Sequence, residues 1–137
     1  MWIILKMEVL RRNTDYALRA MVNLARHWQQ GSVSTKTIAH SEDVSYQLLR
    51  KLMRRLLKGK LVRSSSGPSG GFELKKSPTR TSLLEIIVTI QGPVNLNKCL
   101  LNGYVCSLRK TCPVHKKLSE LQKHIDNYFS GITLQDL

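Results

Sequence analysis

Three cysteines lie within fourteen residues of one another in the last third of the sequence. Six residues separate Cys99 from Cys106, five separate Cys106 from Cys112, and His115 follows after two more. Three thiolates and one imidazole can satisfy either Zn²⁺ or an iron–sulfur cluster. Structural zinc sites bring their ligands in closely spaced cysteine pairs, so these wider spacings favour a cluster. The alternative is three unligated thiols packed as small apolar side chains, but three in so short a stretch argue against it.

The chain carries a large excess of positive charge. Its 137 residues include 22 lysines and arginines against nine aspartates and glutamates, a formal net charge of +13. This length suits one domain, and 42% hydrophobic residues are enough for a core, which excludes a disordered basic tail. A folded domain this basic is typical of proteins that bind a polyanion, because each neutralised phosphate releases condensed counterions.

No pattern in the sequence indicates catalysis or a membrane. There is no serine–histidine–aspartate arrangement, phosphate-binding loop or pair of carboxylates, so we predict that the protein is not an enzyme. No stretch approaches the roughly 20 apolar residues of a spanning helix. The apolar run within Met1–Lys6 is too short for a signal peptide, and Met7 is an alternative start. An odd number of clustered cysteines fits a reducing compartment, and we therefore expect a cytoplasmic protein.

Two short helices joined by a tight turn are predicted in the first half of the chain. Ser34 can cap the first helix and Ser45 the second, since a side-chain oxygen there accepts hydrogen bonds from free amides of the first turn. Asp43 lies at the turn, and Asp tolerates a left-handed backbone better than most residues. The second helix is strongly basic and ends at Gly59, a usual residue after a helix. This arrangement indicates a helix-turn-helix.

The second helix and the segment after it form a basic recognition unit. No acidic residue lies between Asp43 and Glu73, whereas seven lysines and arginines do. The first turns of such a helix reach base edges in the major groove, so Arg50 is the candidate for guanine and Gln47 for adenine, while Arg54 would contact phosphates. An isolated basic helix would more often be a solvated face, but its coincidence with capped turns and a wing favours DNA. The predicted DNA-binding residues are Ser34, Thr35, Ser45, Tyr46, Gln47, Arg50, Lys51, Arg54, Arg63, Ser66, Gly67, Ser69 and Gly70.

Two further elements flank the helix-turn-helix. An amphipathic helix over 16–28, capped by Asn13 or Thr14, is expected before it. After it, two short β-like segments surround a turn of glycine, proline and serine at 64–71, which predicts a hairpin. A hairpin in this position is a wing.

The last third of the chain is predicted to hold two more helices. Ser82 and Glu85 have the spacing of a capping box, which indicates a helix over 83–91. Pro113 follows Cys112 at the favoured first position of a final helix. The apolar residues of that helix recur at the spacing of a helix-pairing seam, and they are Val114, Leu118, Leu121, Ile125 and Tyr128.

Taken together, these motifs resemble the Rrf2 family of winged-helix transcription regulators over nearly the whole chain from about Met7 onward. Each motif alone is weak, but the combination is specific. The segments that carry the resemblance are Asn13–Arg19, the helix-turn-helix ending at Leu61-Val62, the Gly67–Phe72 wing, the three-cysteine loop and Ile132–Leu134.

The resemblance implies a homodimer that pairs through its C-terminal helices and binds a pseudo-palindromic promoter site in double-stranded DNA. Cys99, Cys106 and Cys112 fall on the family's ligands for a [2Fe–2S] or [4Fe–4S] cluster, which reports iron–sulfur status, redox stress or nitric oxide. IscR-like members take a fourth ligand from a histidine placed like His115, and NsrR-like members from an N-terminal acid placed like Asp15. We favour His115, because it lies closest in sequence to Cys112.

The sequence departs from the IscR-like pattern at three places. The spacing from Cys99 to Cys106 is one residue longer. Ser66 stands where the wing usually carries an arginine that enters the minor groove, and Arg63 is the candidate to replace it. Arg50 stands where IscR-like members have an acid that tunes sequence choice, so no target motif is carried over from them to this chain.

We therefore predict a mostly α fold with a small β-hairpin. A winged helix-turn-helix domain covers 7–92, a cysteine-rich sensor loop covers 93–112, and a dimerisation helix with a tail covers 113–137. The predicted function is transcriptional regulation, as a repressor, under control of an iron–sulfur cluster. The alternative is a regulator without a cluster, whose cysteines respond by oxidation or bind zinc.

Overall fold

The helices of the N-terminal half have their apolar residues spaced so that they share one core. In the computed structural model, which describes residues 8–137, α1 (Arg12–Arg26) packs on α2 (Thr35–Glu42) and α3 (Tyr46–Lys58), and α4 (Leu83–Gln91) packs on both α1 and α3. The largest fully buried side chains of these helices are Met21, Leu24, Ile38, Leu49, Leu52, Met53, Leu56, Ile86 and Ile87. The predicted mostly α architecture is confirmed. The predictions for the start of the chain, at Met1–Lys6 and Met7, lie outside the described residues.

The wing is an antiparallel hairpin of β1 (Val62–Ser65) and β2 (Gly71–Leu74). Its strands extend further than the sequence predicts, which leaves only 66–70 as the turn. A backbone bridge joins Phe72 to Val33, just before α2. A Cβ at Gly71 would come within 2.2 Å of the Val33 carbonyl oxygen, so this contact between wing and helix-turn-helix requires glycine.

The caps of the helix-turn-helix are those that the sequence predicts. The hydroxyl of Ser34 accepts from the Thr37 amide at 3.1 Å, and that of Ser45 accepts from the Leu48 amide at 3.2 Å. Asp43 has the left-handed backbone expected of the turn, with φ 53° and ψ 51°. Local hydrogen bonds therefore fix both helix starts.

Gly59 directly follows the last residue of α3, as predicted, but it does not take the left-handed conformation usual for a glycine after a helix. Its φ is −75°, and Lys60 takes the left-handed conformation instead, with φ 62°. Glycine is needed at this position for space, because a Cβ would lie 2.6 Å from Cγ2 of Thr89 on α4. The end of α3 is thus set by close packing on α4.

The predicted cap of α1 is wrong. The helix begins at Arg12, and Arg11 precedes it without a side-chain cap. Thr14 is buried inside the helix, and its hydroxyl donates to the Gln91 side-chain oxygen at 2.7 Å. The same oxygen accepts from the Arg11 amide at 2.9 Å. A residue of α4 therefore replaces the local cap.

The capping box of α4 is confirmed. Ser82 accepts from the Glu85 amide at 3.2 Å, and the Glu85 carboxylate accepts from the Ser82 amide at 2.8 Å. Lys76 donates to the same carboxylate at 2.7 Å. Burial alone would raise the pKa of Glu85, but the hydrogen bonds from Lys76 and Ser82 outweigh it and hold the pKa below its usual value.

The last helix, α5 (Pro113–Gly131), packs on α4, and the chain then returns to the core. The Leu83 amide donates to the Ile132 carbonyl at 2.8 Å, and the Leu134 amide donates to the Thr81 carbonyl at 3.0 Å. Leu134 is 3% exposed and joins the core cluster. The start of α4 is thereby tied to the C-terminal tail. No helix within 8–137 is long and apolar enough to cross a bilayer.

Truncation of Leu134 tests whether this tail stabilises the fold. We expect Leu134→Ala to lower the free energy of unfolding by about 2–5 kcal/mol, because it removes a buried leucine and leaves a cavity. Urea unfolding followed by circular dichroism measures the change. Leu137→Ala, at a position that is 58% exposed, is the control and should change stability by less than about 0.5 kcal/mol. Equal stability of both variants would mean that the tail contributes nothing.

Candidate functional site

One face of α3 is buried and the opposite face is open to solvent. The leucine-rich face packs on α1 and α4, so helical periodicity turns the polar residues outward. The exposed residues on that polar face are Tyr46, Gln47, Arg50, Lys51 and Arg54. None of these cations pairs with a carboxylate of the described chain. Arg55, by contrast, donates to the Ile90 carbonyl of α4.

Residues of α1 form hydrogen bonds and an ion pair with the last residue of α2, next to the turn of the helix-turn-helix. The Asn23 amide donates to the Glu42 carboxylate at 2.9 Å, and the Arg19 guanidinium lies 3.7 Å from it. Arg19 also donates to the Glu42 backbone carbonyl. These contacts fix the end of α2 next to Asp43. The sequence does not reveal these contacts, because the residues that form them lie about twenty positions apart and make no recognisable motif.

The wing presents a neutral tip. Ser66, Gly67, Ser69 and Gly70 form the turn, closed by the Gly70 amide donating to the Gly67 carbonyl at 3.0 Å. Gly67 has a φ of +96°, which favours glycine. The turn contains no lysine or arginine. Hydroxyl and backbone groups are therefore what the tip offers to a DNA groove.

Arg63, the predicted replacement for a tip cation, is engaged within the wing. It stands opposite Glu73 in the hairpin, and its Nε lies 2.8 Å from the Glu73 carboxylate. Both side chains are partly exposed, at 60% and 32%. The pair lies on the strands below the tip, so part of the positive charge expected from the sequence is neutralised locally.

The three cysteines and His115 line a single cavity of about 270 Å³. The thiols are all partly buried and unpaired. Cys112 caps α5, and its sulfur accepts from the His115 amide at 3.5 Å. Two cations, Lys98 and Arg109, also line the cavity. The four residues that their spacing in the sequence singled out therefore line the same cavity.

The residues of this cavity fit a cluster in donor type. Nδ1 of His115 is buried with no hydrogen-bond partner among residues 8–137, as expected of a side chain whose partner is a bound group. Yet in that same part of the chain no three His, Cys, Asp or Glu side chains are close enough to hold a metal ion. Asp15 is exposed on α1 and does not line the cavity.

Hydrogen bonds from the Gln122 side chain fix the start of the cysteine loop to α5. The Gln122 side chain donates to the Val94 carbonyl at 2.6 Å and accepts from the Leu96 amide at 3.0 Å. It also donates to Asp126 at 3.0 Å. The sequence gives no sign of this contact, which joins residues nearly thirty positions apart.

The capped helix-turn-helix, its basic face and the wing define a winged-helix DNA-binding protein. Residues 10–137 match the family Rrf2, described as an iron-dependent transcriptional regulator. The chain belongs to the Rrf2 family, as the motifs predicted. It is a DNA-binding transcriptional regulator and not an enzyme.

Similarity to individual proteins extends over most of the chain. This chain is 33% identical to the HTH-type transcriptional regulator ORF2 of Azotobacter vinelandii over 122 residues. The aligned region covers 89% of this chain and 74% of that protein. CymR, the global cysteine regulator of B. subtilis, is similar with a TM-score of 0.76 and 25% identity, over 97% of this chain and 95% of that one. T. potens IscR is similar with a TM-score of 0.71 and 29% identity, over 98% of this chain and 86% of that one.

Glu73→Gln tests the role of the Arg63 pair. The substitution frees the guanidinium, so we expect tighter binding to non-specific duplex DNA. The slope of log K against log salt should become steeper by about 0.9 for each added phosphate contact. Fluorescence anisotropy over a salt series measures both quantities. Glu120→Gln, which breaks the exposed pair with Lys117 on α5, makes the same charge change elsewhere. Indistinguishable slopes for the two variants would mean that Arg63 does not reach DNA.

Proposed function

We propose that this regulator holds an iron–sulfur cluster through Cys99, Cys106 and Cys112, and that the cluster controls its affinity for promoter DNA. The observation that carries the proposal is the cavity that the three cysteines and His115 line together, with Nδ1 of His115 buried and without a hydrogen-bond partner in the described chain. The iron-dependent description of the family supports it. When bound, the cluster would supply a redox-active centre that responds to iron–sulfur status, oxidants or nitric oxide.

The chain's own residues would prepare the cavity for this group. Three thiolates bring negative charge, which Lys98 and Arg109 at the wall would offset. His115 is the proposed fourth ligand, since imidazole suits iron, the residue lines the cavity and its Nδ1 is buried without a hydrogen-bond partner in the described chain. The alternative fourth ligand is Asp15, which would reach the cluster from the second subunit of a dimer.

The proposed DNA contacts follow from exposure. Arg50 and Gln47 would read bases from the first turns of α3, and Arg54 would contact phosphates. The starts of α2 and α3 would also face the sugar–phosphate backbone of the DNA, through Ser34, Thr35 and Ser45. Their companions in the proposed interface are Tyr46, Lys51, Arg63, Ser66, Gly67, Ser69 and Gly70.

We also propose that the protein acts as a homodimer on a pseudo-palindromic site. Val114, Leu121 and Tyr128 recur every seven residues on α5 and are 59%, 48% and 68% exposed. Such a stripe is suited to pairing with the same helix of a second copy. Two recognition helices would then meet half-sites about one helical turn of DNA apart.

A cluster-free regulator is the second candidate. In the described chain the cysteines are free thiols, and no three potential ligands are within reach of one metal ion. In this case oxidation of the thiols, or zinc, would change the DNA affinity instead.

Anaerobic isolation distinguishes the two candidates and tests the ligands. We expect a brown protein with visible absorbance and about equal iron and sulfide, and colourless protein from Cys106→Ser. His115→Ala should shift the absorption or shorten the lifetime of the cluster, whereas Asp15→Ala should leave both unchanged. The reverse pattern would assign the fourth ligand to Asp15. A parent protein without sulfide would reject the cluster in favour of the second candidate.

Leu121→Asp tests the dimer. A charge on the exposed stripe would have to be desolvated on pairing, so we expect monomers by light scattering and non-cooperative binding to a site with two half-sites. Asn127→Asp adds the same charge to an exposed position outside the stripe and should stay dimeric. If Leu121→Asp also remained dimeric, the interface would lie on another surface.

A further inference from the structure

The ring of Tyr46 lies against two cations from different helices. The guanidinium carbon of Arg50 is 5.7 Å from the ring centroid, and Nζ of Lys36 is 5.9 Å from it. Tyr46 is the first residue of α3, one helical turn before Arg50. Lys36 is the second residue of α2. On the solvent side, the aromatic ring of α3 therefore contacts a cation of its own helix and a cation of α2.

The two cations have no carboxylate partner in the described part of the chain. Like charges repel, so two of them on one ring create a concentrated positive potential that an internal counterion does not relieve. The ring itself is 41% exposed, so it is not simply a core side chain. A phosphodiester backbone is the anion that such a surface fits.

We propose that Tyr46 is a positioning residue for DNA recognition, whose ring holds Arg50 in a base-reading orientation and Lys36 toward a phosphate. Lys36, which is not among the DNA-binding residues predicted from the sequence, is thereby added to the proposed DNA interface. The inference rests on the proposed role of α3 as the recognition helix.

The physical reason is the entropy of long side chains. Arginine and lysine lose rotamer freedom when they are immobilised at an interface, and order before binding reduces that cost. A planar guanidinium must also present its fork in the plane of the guanine edge. A ring face restrains that plane through a cation–π contact, which an aliphatic side chain cannot do.

Two substitutions at position 46 separate the ring from the hydroxyl. We expect Tyr46→Leu to weaken binding by about three- to tenfold on a duplex that the protein itself selects from a random-sequence pool. Binding to a non-specific duplex should weaken less. Tyr46→Phe keeps the ring and should bind within twofold of the parent. A loss for Tyr46→Phe equal to that for Tyr46→Leu would assign the effect to a hydroxyl contact and overturn the proposal.

A double-mutant cycle with Arg50→Ala tests whether Tyr46 acts through Arg50. Once Arg50 is absent, Tyr46→Leu should cost much less than it does in the parent, because positioned groups couple. An undiminished loss in that background would overturn the positioning role while leaving α3 as the recognition helix. If Arg50→Ala alone left specific binding unchanged, the recognition role itself would fail.

Lys36→Gln tests the second cation. We expect the slope of log K against log salt to become shallower by about 0.9, the value for one lost phosphate contact. Lys123→Gln, which removes the same charge from an exposed position on α5, serves as the control. Thermal unfolding of every variant, including those at position 46, checks that the fold is retained. Equal slopes for the Lys36 and Lys123 variants would remove Lys36 from the interface.

Discussion

Burial of the leucine-rich face of α3 is the constraint on which the proposed DNA interface depends. Leu49, Leu52, Met53 and Leu56 are at most 2% exposed, and each buried aliphatic side chain contributes on the order of 1.5–3 kcal/mol. A helix with one face fixed in this way has no freedom to rotate about its axis. The cations on its other face must then project into solvent, in an orientation set by apolar packing and not by their own contacts.

The position of α4 connects this packing to the cysteine cavity. Its buried isoleucines pack in the core with α1 and α3, while Arg55 of α3 donates to its last turn. Gln91, its final residue, holds the start of α1, and the cysteine loop begins directly afterwards. Gln122 then fixes the loop to α5. α4 therefore packs on α3 on one side and on α5 on the other, and the first turn of α5 carries Val114 and His115 of the cavity wall.

Sequence patterns predicted the contacts that are local and missed those that are distant. Ser34, Ser45 and Ser82 cap their helices because each needs only an amide three residues ahead, so residue type and spacing are sufficient. Gln91 bonds to residues about eighty positions away, and only the tertiary packing brings them together. Gly59 ends α3 as its residue type predicts, but its small size also allows the approach of Thr89 on α4, which the sequence does not reveal. The cysteines were found by type, whereas the shared cavity depends on the fold of the loop.

The few acidic residues explain why the basic face stays unpaired. Six of the nine acidic side chains are held in hydrogen bonds or ion pairs elsewhere, and they are Glu42, Glu73, Glu85, Glu120, Asp126 and Asp136. None of the nine lies on α3. A surface cation without an internal partner keeps its full field, at some cost in self-repulsion. Because the fold gives α3 no counterion of its own, the phosphates of bound DNA would complete its charge balance under the proposed function, and their release of condensed ions would favour binding.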